Sequence, residues 1–222
     1  MTFRSFADII LKNPTGTFKK QENMKKILFL IGIIPTFLIC NSTPTLEEEC
    51  LSQVCANPAL SFEIIEMARL DQLIRSRWIQ TKDDALLEEI KKIDQLHSEK
   101  LTIIIKAYGW PGIQLVGNEG ADAMWLLVQH SPNLEFQKKC LILLEDAVLE
   151  KDALPKHFAY LKDRILVTEG KKQIYGTQLQ LIEGKVIFYP IEDEDSIDSR
   201  RSSVGLCPLA EYKILVSQMY EF

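Results

Sequence analysis

Histidine exchanges protons near neutral pH, and of three histidines His130 alone stands beside other candidate polar groups. It follows Gln129 at the end of an apolar stretch, MWLLVQH. Asp163 and Arg164 interrupt a second apolar stretch, YLKDRIL. His130 is the natural general acid or base, and Asp163 is the candidate to orient it or to bind a substrate hydroxyl. Arg164, Arg200 and Arg201 suit bidentate contacts to carboxylate or phosphate. Gln173, Tyr175, Thr177 and Gln178, within QIYGTQ, supply the neutral donors and acceptors that sugars or amides require. Gly176 in the middle would let the backbone approach a ligand closely.

Plainer roles compete with these. A histidine at a helix end can cap carbonyls, and Asp163 and Arg164 can form structural ion pairs with Arg75 or Asp71. Asp71 and Arg75 are themselves one helical turn apart and can pair. The YGTQ string can simply begin a hairpin, and one of Arg200 and Arg201 can offset the acidic run Glu192 to Asp195. His97 and His157 sit among Lys and Glu and read as solvated. Trp110 and Trp125 read as core or loop anchors, and Cys140 as an inert buried thiol.

The elements that must position these groups are mostly helical. Phe62, Ile65, Met67, Leu70, Leu73, Ile74 and Trp78 recur at three- and four-residue spacing, and Leu86 to Ile103 continue the pattern. YGWPG at 108–112 stops it. Helices are expected from about Gly120 to His130, again around Phe136 to Val148, and from Pro155 towards Gly170. Tyr175 to Ile182 then alternates, Glu183-Gly184 signals a turn, and Lys185 to Tyr189 returns. A short helix is expected at 196–203 and a terminal one at 208–219. The fold class is mainly α: a single-domain helical bundle over 56–222 with one small β-hairpin near the C-terminus. A bend at Gly176 is expected to bring Tyr175 and Gln178 into one cleft with His130, Asp163, Gln173 and an arginine.

The amino terminus carries a different signal. Lys25-Lys26 precede ILFLIGIIPTFLIC, a basic stretch and an apolar run as in a secretory signal. As a helix that run reaches roughly 21 Å, short of the ~30 Å bilayer core. Residues 1–23 read as an upstream extension of the true start at Met24, 24–40 as the signal, and 41–55 as a linker. Cys40, followed by Asn-Ser-Thr-Pro-Thr, looks like the lipidation site of a bacterial lipoprotein, although Ile39 replaces the usual small residue. Cys50 and Cys55 can pair in an oxidising compartment.

The order Gly109-Trp110-Pro111, Val116-Gly117, Leu127-x-Gln129-His130, Phe136-Gln137, Ala159-Tyr160-Leu161-x-Asp163-Arg164, Gln173-x-Tyr175-Gly176-Thr177-Gln178, Asp198-x-Arg200-Arg201 and Gly205-Leu206-x-Pro208-Leu209 resembles the bacterial domain of unknown function 6624 family. The resemblance covers about residues 62–212. It implies a bacterial source and a shared fold, and supplies no activity or catalytic residue.

Charge narrows the classes. The 222-residue chain carries 26 basic and 31 acidic side chains, a net charge of -5. Removing residues 1–40 takes away six basic side chains and two acidic ones, so the body is more acidic still. An acidic body is poorly suited to nucleic acid, whose binding rests on Lys and Arg. Membrane attachment is expected only through the lipid or signal anchor. Scattered histidines without a Cys-x-x-Cys give no zinc pattern. Nucleophile-elbow, phosphate-loop and His-Glu-x-x-His motifs are absent. The expectation is an exported protein of the cell envelope that binds a small polar or anionic ligand, with no cofactor and no metal. A cofactor-independent enzyme using His130 and Asp163 is the first alternative, and a structural or partner-binding module the second.

Overall fold

The computed structural model describes residues 55–182 and 185–220. The signal region, Cys40, Cys50, the linker up to residue 54 and the Glu183-Gly184 turn lie outside the described residues. Seven α-helices and two strands make up the described part. Helix α1 spans Pro58–Thr81, α2 Asp84–Tyr108, α3 Ile113–His130, α4 Leu134–Leu149 and α5 Pro155–Thr168. Strands β1 (Leu179–Ile182) and β2 (Lys185–Phe188) follow, then α6 (Ile197–Ser203) and α7 (Leu209–Tyr220).

Local chemistry sets the starts of four helices. Asn57, Asp83 and Asn133 accept backbone N–H bonds from Leu60, Ala85 and Phe136 and start α1, α2 and α4. Pro58 and Pro155 take the first helical positions of α1 and α5, where their missing N–H costs nothing. Helix α3 begins seven residues before the expected Gly120. Its first turn is joined to the rest across Gly117, whose φ of 73° suits a residue without Cβ.

Helix α3 is the centre of the bundle and packs against α1, α2, α4 and α5. From Ala123 to His130 it is buried on every side, which explains its apolar run. Ile64, Leu101, Met124, Leu144 and Leu161 from five helices meet in the main core. A second cluster, Ile74, Trp78, Leu86, Leu87 and Ile90, fills the turn between α1 and α2. A third, Ile191, Ile197, Leu209, Tyr212 and Val216, carries the hairpin on α6 and α7.

The hairpin is antiparallel, pairing Leu179 with Phe188 and Ile182 with Lys185. It is shorter than the alternation suggested. Residues 174–178 form no strand, and Gly176 bends the chain at φ 66°. The expected bend is there, and the segment before it is a loop sewn to its surroundings by side chains.

Two histidines correct the sequence reading. His97 and His157 are 8% and 3% exposed, not solvated. His157 stacks on Trp125 at 4.4 Å, and its Nε2 lies 3.2 Å from Asp122. Trp125 is a core anchor as expected. Cys140 is buried, and burial pushes its thiol up to about 12. Cys55 donates to the carbonyl of Leu115 at 3.3 Å.

Candidate functional site

Two polar networks occupy the interior. The first gathers where α1, α2, α3 and α5 meet. Asp71 and Arg75 lie one turn apart on α1, with Arg75 Nε 3.0 Å from Asp71 Oδ1. The same guanidinium reaches Asp94 on α2 through Nη2. His130, the last residue of α3, sets Nδ1 2.8 Å from Asp71 Oδ2. All four are at most 4% exposed.

Burial opposes the Asp71 charge, but His130 and Arg75 outweigh it and hold the carboxyl well below the usual carboxylate range. An ionised carboxylate only accepts, so Nδ1 of His130 carries the proton in that bond. Burial likewise opposes the Arg75 charge, and Asp71 and Asp94 overcome it. Asp94 goes the other way. Burial raises its carboxyl to about 6, with Arg75 only partly offsetting.

That difference has a measurable consequence. The folded protein keeps the Asp94 proton up to about pH 6, while the unfolded chain releases it near its ordinary 3.8. The stability carried by that proton is full below pH 4 and is lost as pH rises through 6. Asp94→Asn is expected to flatten this fall. Urea titrations of both proteins between pH 4 and pH 7 check it, and parallel curves would contradict the assignment.

A cavity of about 110 Å³ lies at the edge of this network. Its polar lining is Gln129, His130, Ser131, Gln137, Arg164 and Thr168, with no carboxylate. Burial lowers the Arg164 guanidinium to about 10, so it remains a cation at neutral pH. Gln137 donates to the carbonyls of Val128 and Gln129 at 3.2 and 3.1 Å and closes the end of α3.

The second network is the QIYGTQ loop. Asp163 accepts backbone N–H bonds from Ile174, Tyr175 and Thr177 at 2.7–3.1 Å and the Thr177 hydroxyl at 3.0 Å. Gln173 spans the loop, accepting from Gln178 N and donating to Gln178 O and Tyr189 O. Arg201 donates to the carbonyls of Cys207 and Tyr175 and sits 4.8 Å from the Tyr212 ring. Arg200 donates to the carbonyls of Ile174, Glu192 and Asp193. Burial lifts the Asp163 carboxyl, and the loop N–H groups pull it back part of the way.

The expected single cleft therefore divides. His130 and Arg164 share the cavity with Gln129. Asp163, Gln173, Tyr175, Thr177, Gln178, Arg200 and Arg201 do not line it. The partner of His130 is Asp71, not Asp163, whose oxygens are occupied by the loop. Neighbours on a helix diverge by about 100°, so Asp163 and Arg164 face different networks. Both networks reach the carbonyl of Tyr160, approached by Gln129 Nε2 at 3.4 Å and by Gln178 Nε2 at 3.5 Å.

Asp94 was not among the sequence candidates, yet a signal existed. Ile90, Asp94, His97, Ser98, Leu101 and Ile104 form one buried stripe on α2. Polar residues inside an apolar stripe mark a buried polar site. Among the described residues no group of three or more His, Cys, Asp and Glu could hold a metal ion.

A family model described as a family of unknown function, DUF6624, matches residues 58–222. No curated protein and no solved structure matches the chain.

Proposed function

Because the chain belongs to DUF6624, a family of unknown function, its activity has to be argued from its own chemistry, and we propose that it binds the anionic end of a small polar molecule in the cavity between α3 and α5. One observation carries the reading: Arg164, a buried cation, lines that cavity beside His130, and no carboxylate lines it. The cavity holds about 110 Å³, where a single water needs roughly 10–15 Å³. That suits an end group of a few atoms. Burying four ionisable side chains against one another is costly and seldom improves stability over apolar packing, which favours a functional reason for keeping them.

Calorimetric titration with acetate and with inorganic phosphate tests the proposal. Saturable binding is expected, weakened at least about ten-fold in Arg164→Gln, since charge-assisted bonds are the stronger ones. Equal affinity in wild type and variant would overturn it.

The 2.8 Å bond between Asp71 and His130 favours a second reading, acid–base catalysis. A carboxylate that fixes the tautomer and orientation of an imidazole is the arrangement used by proton-transferring histidines. Here Asp71 takes the orienting role that the sequence offered to Asp163. On a substrate that the wild type converts, His130→Gln would lower kcat about 10²–10⁴-fold and leave affinity nearly unchanged.

We place the protein in the bacterial cell envelope, anchored by lipid at Cys40. The basic pair and apolar run ending in Cys-Asn-Ser support this. Labelling cells with a palmitate analogue should mark the wild type and not Cys40→Ala. Absence of label from both would remove the anchor.

A further inference from the structure

We propose that the end group seated against Arg164 is a hydroxycarboxylate, whose hydroxyl donates a hydrogen bond to Oε1 of Gln129. The inference rests on the anion-binding reading above and narrows it to one ligand class.

Gln129 lines the same cavity as Arg164 and is 1% exposed. Its Nε2 donates towards the Tyr160 carbonyl at 3.4 Å. Turning the amide over would set Oε1 against that carbonyl, two acceptors with no proton between them, so the neighbour decides the orientation. Oε1 then has no donor among the described residues. The nearby side chains do not supply one: Gln137 spends its Nε2 on two backbone carbonyls, and because Ser98 spends its one proton on the Asp94 carbonyl, the Ser131 hydroxyl gives its own to Ser98. A buried amide oxygen without a donor is expensive to keep, and a ligand that brings one removes the cost.

The cavity thus combines a guanidinium, which only donates, with an amide oxygen, which only accepts. A plain carboxylate or the dianion of a phosphate monoester offers acceptors alone and leaves Oε1 unpaired. A neutral alcohol or amide brings a donor but no charge to meet Arg164. A hydroxycarboxylate carries the charge and the donor on adjacent carbons, within the few atoms that about 110 Å³ admits.

Titration of the full-length chain with glycolate, acetate and glycolamide tests this. Glycolate differs from acetate by a hydroxyl and from glycolamide by its charge. Glycolate is expected to bind at least about ten-fold tighter than either, because a site built to bond a hydroxyl discriminates against the analogue lacking it. Gln129→Leu should bring glycolate to the affinity of acetate. The wild-type comparison decides the matter even if that variant does not fold. Equal affinities for glycolate and acetate, both weakened in Arg164→Gln, would overturn the hydroxyl requirement and leave the anion site standing. No saturable binding of any of the three would overturn both.

Discussion

Arg75→Met is expected to destabilise the protein by about 3–5 kcal/mol, the usual loss when one partner of a buried ion pair is removed. Arg75 is 1% exposed and is held between Asp71 and Asp94. Methionine fills much of the volume and supplies neither charge nor donor. Two carboxylates would then remain in the core with His130 as the neighbour of one. The loss should depend on pH. Asp94, with its carboxyl already raised to about 6, can take up a proton once Arg75 is gone, so the penalty shrinks at pH 5 and is largest at pH 8. It should also be non-additive: Arg75→Met/Asp94→Leu is expected to lose less than Arg75→Met alone, because no lone charge remains on α2. Urea midpoints at the two pH values measure both effects. A penalty independent of pH, or a double variant weaker than the single, would show that the cluster is not coupled in this way.

Asp163→Ala is expected to cost a similar amount, about 3–5 kcal/mol, by a different route. The carboxylate serves three backbone N–H groups and one hydroxyl of the loop. Hydrogen bonds to a charged group contribute about 1.5–3 kcal/mol, and buried donors left without partners add their desolvation cost. Asparagine is no silent replacement. Its NH2 must face either the Ile174 and Tyr175 amides or those of Tyr175 and Thr177, setting donor against donor. Asp163→Asn should therefore keep more than half of the alanine loss. Hydrogen exchange at Ile174, Tyr175 and Thr177 gives the local readout, and their protection should fall in both variants. Protection unchanged alongside lost turnover would instead make Asp163 a proton carrier.

Much of the fold was legible because it is written in local chemistry. The start of α5 follows from Pro155 at its first helical position, and the end of α2 from the glycine and proline of YGWPG. The helical class follows from spacing that keeps one face apolar over several turns. Gly176 was legible as a bend because alternation alone would have sent Tyr175 and Gln178 to opposite faces. The first turn of α3 was not legible. A glycine such as Gly117 permits either a stop or a kink, and only packing of α3 against its neighbours selects the kink.

The composition of the site depended on contacts that no local pattern encodes. Asp71 and His130 are 59 residues apart and meet because α1 and α3 pack side by side. Asp163 and Arg164 are adjacent in the chain, yet one sews the loop and the other lines the cavity. His97 looked solvated from its charged neighbours, but it falls on the buried stripe of α2. The sequence alone determined the chemical inventory, the helical class and the order of the elements, since propensity, capping and periodicity act over a few residues. Which residues share a cavity was decided by the tertiary structure, because helix packing sets which faces meet and burial makes each unpaired charge find a partner.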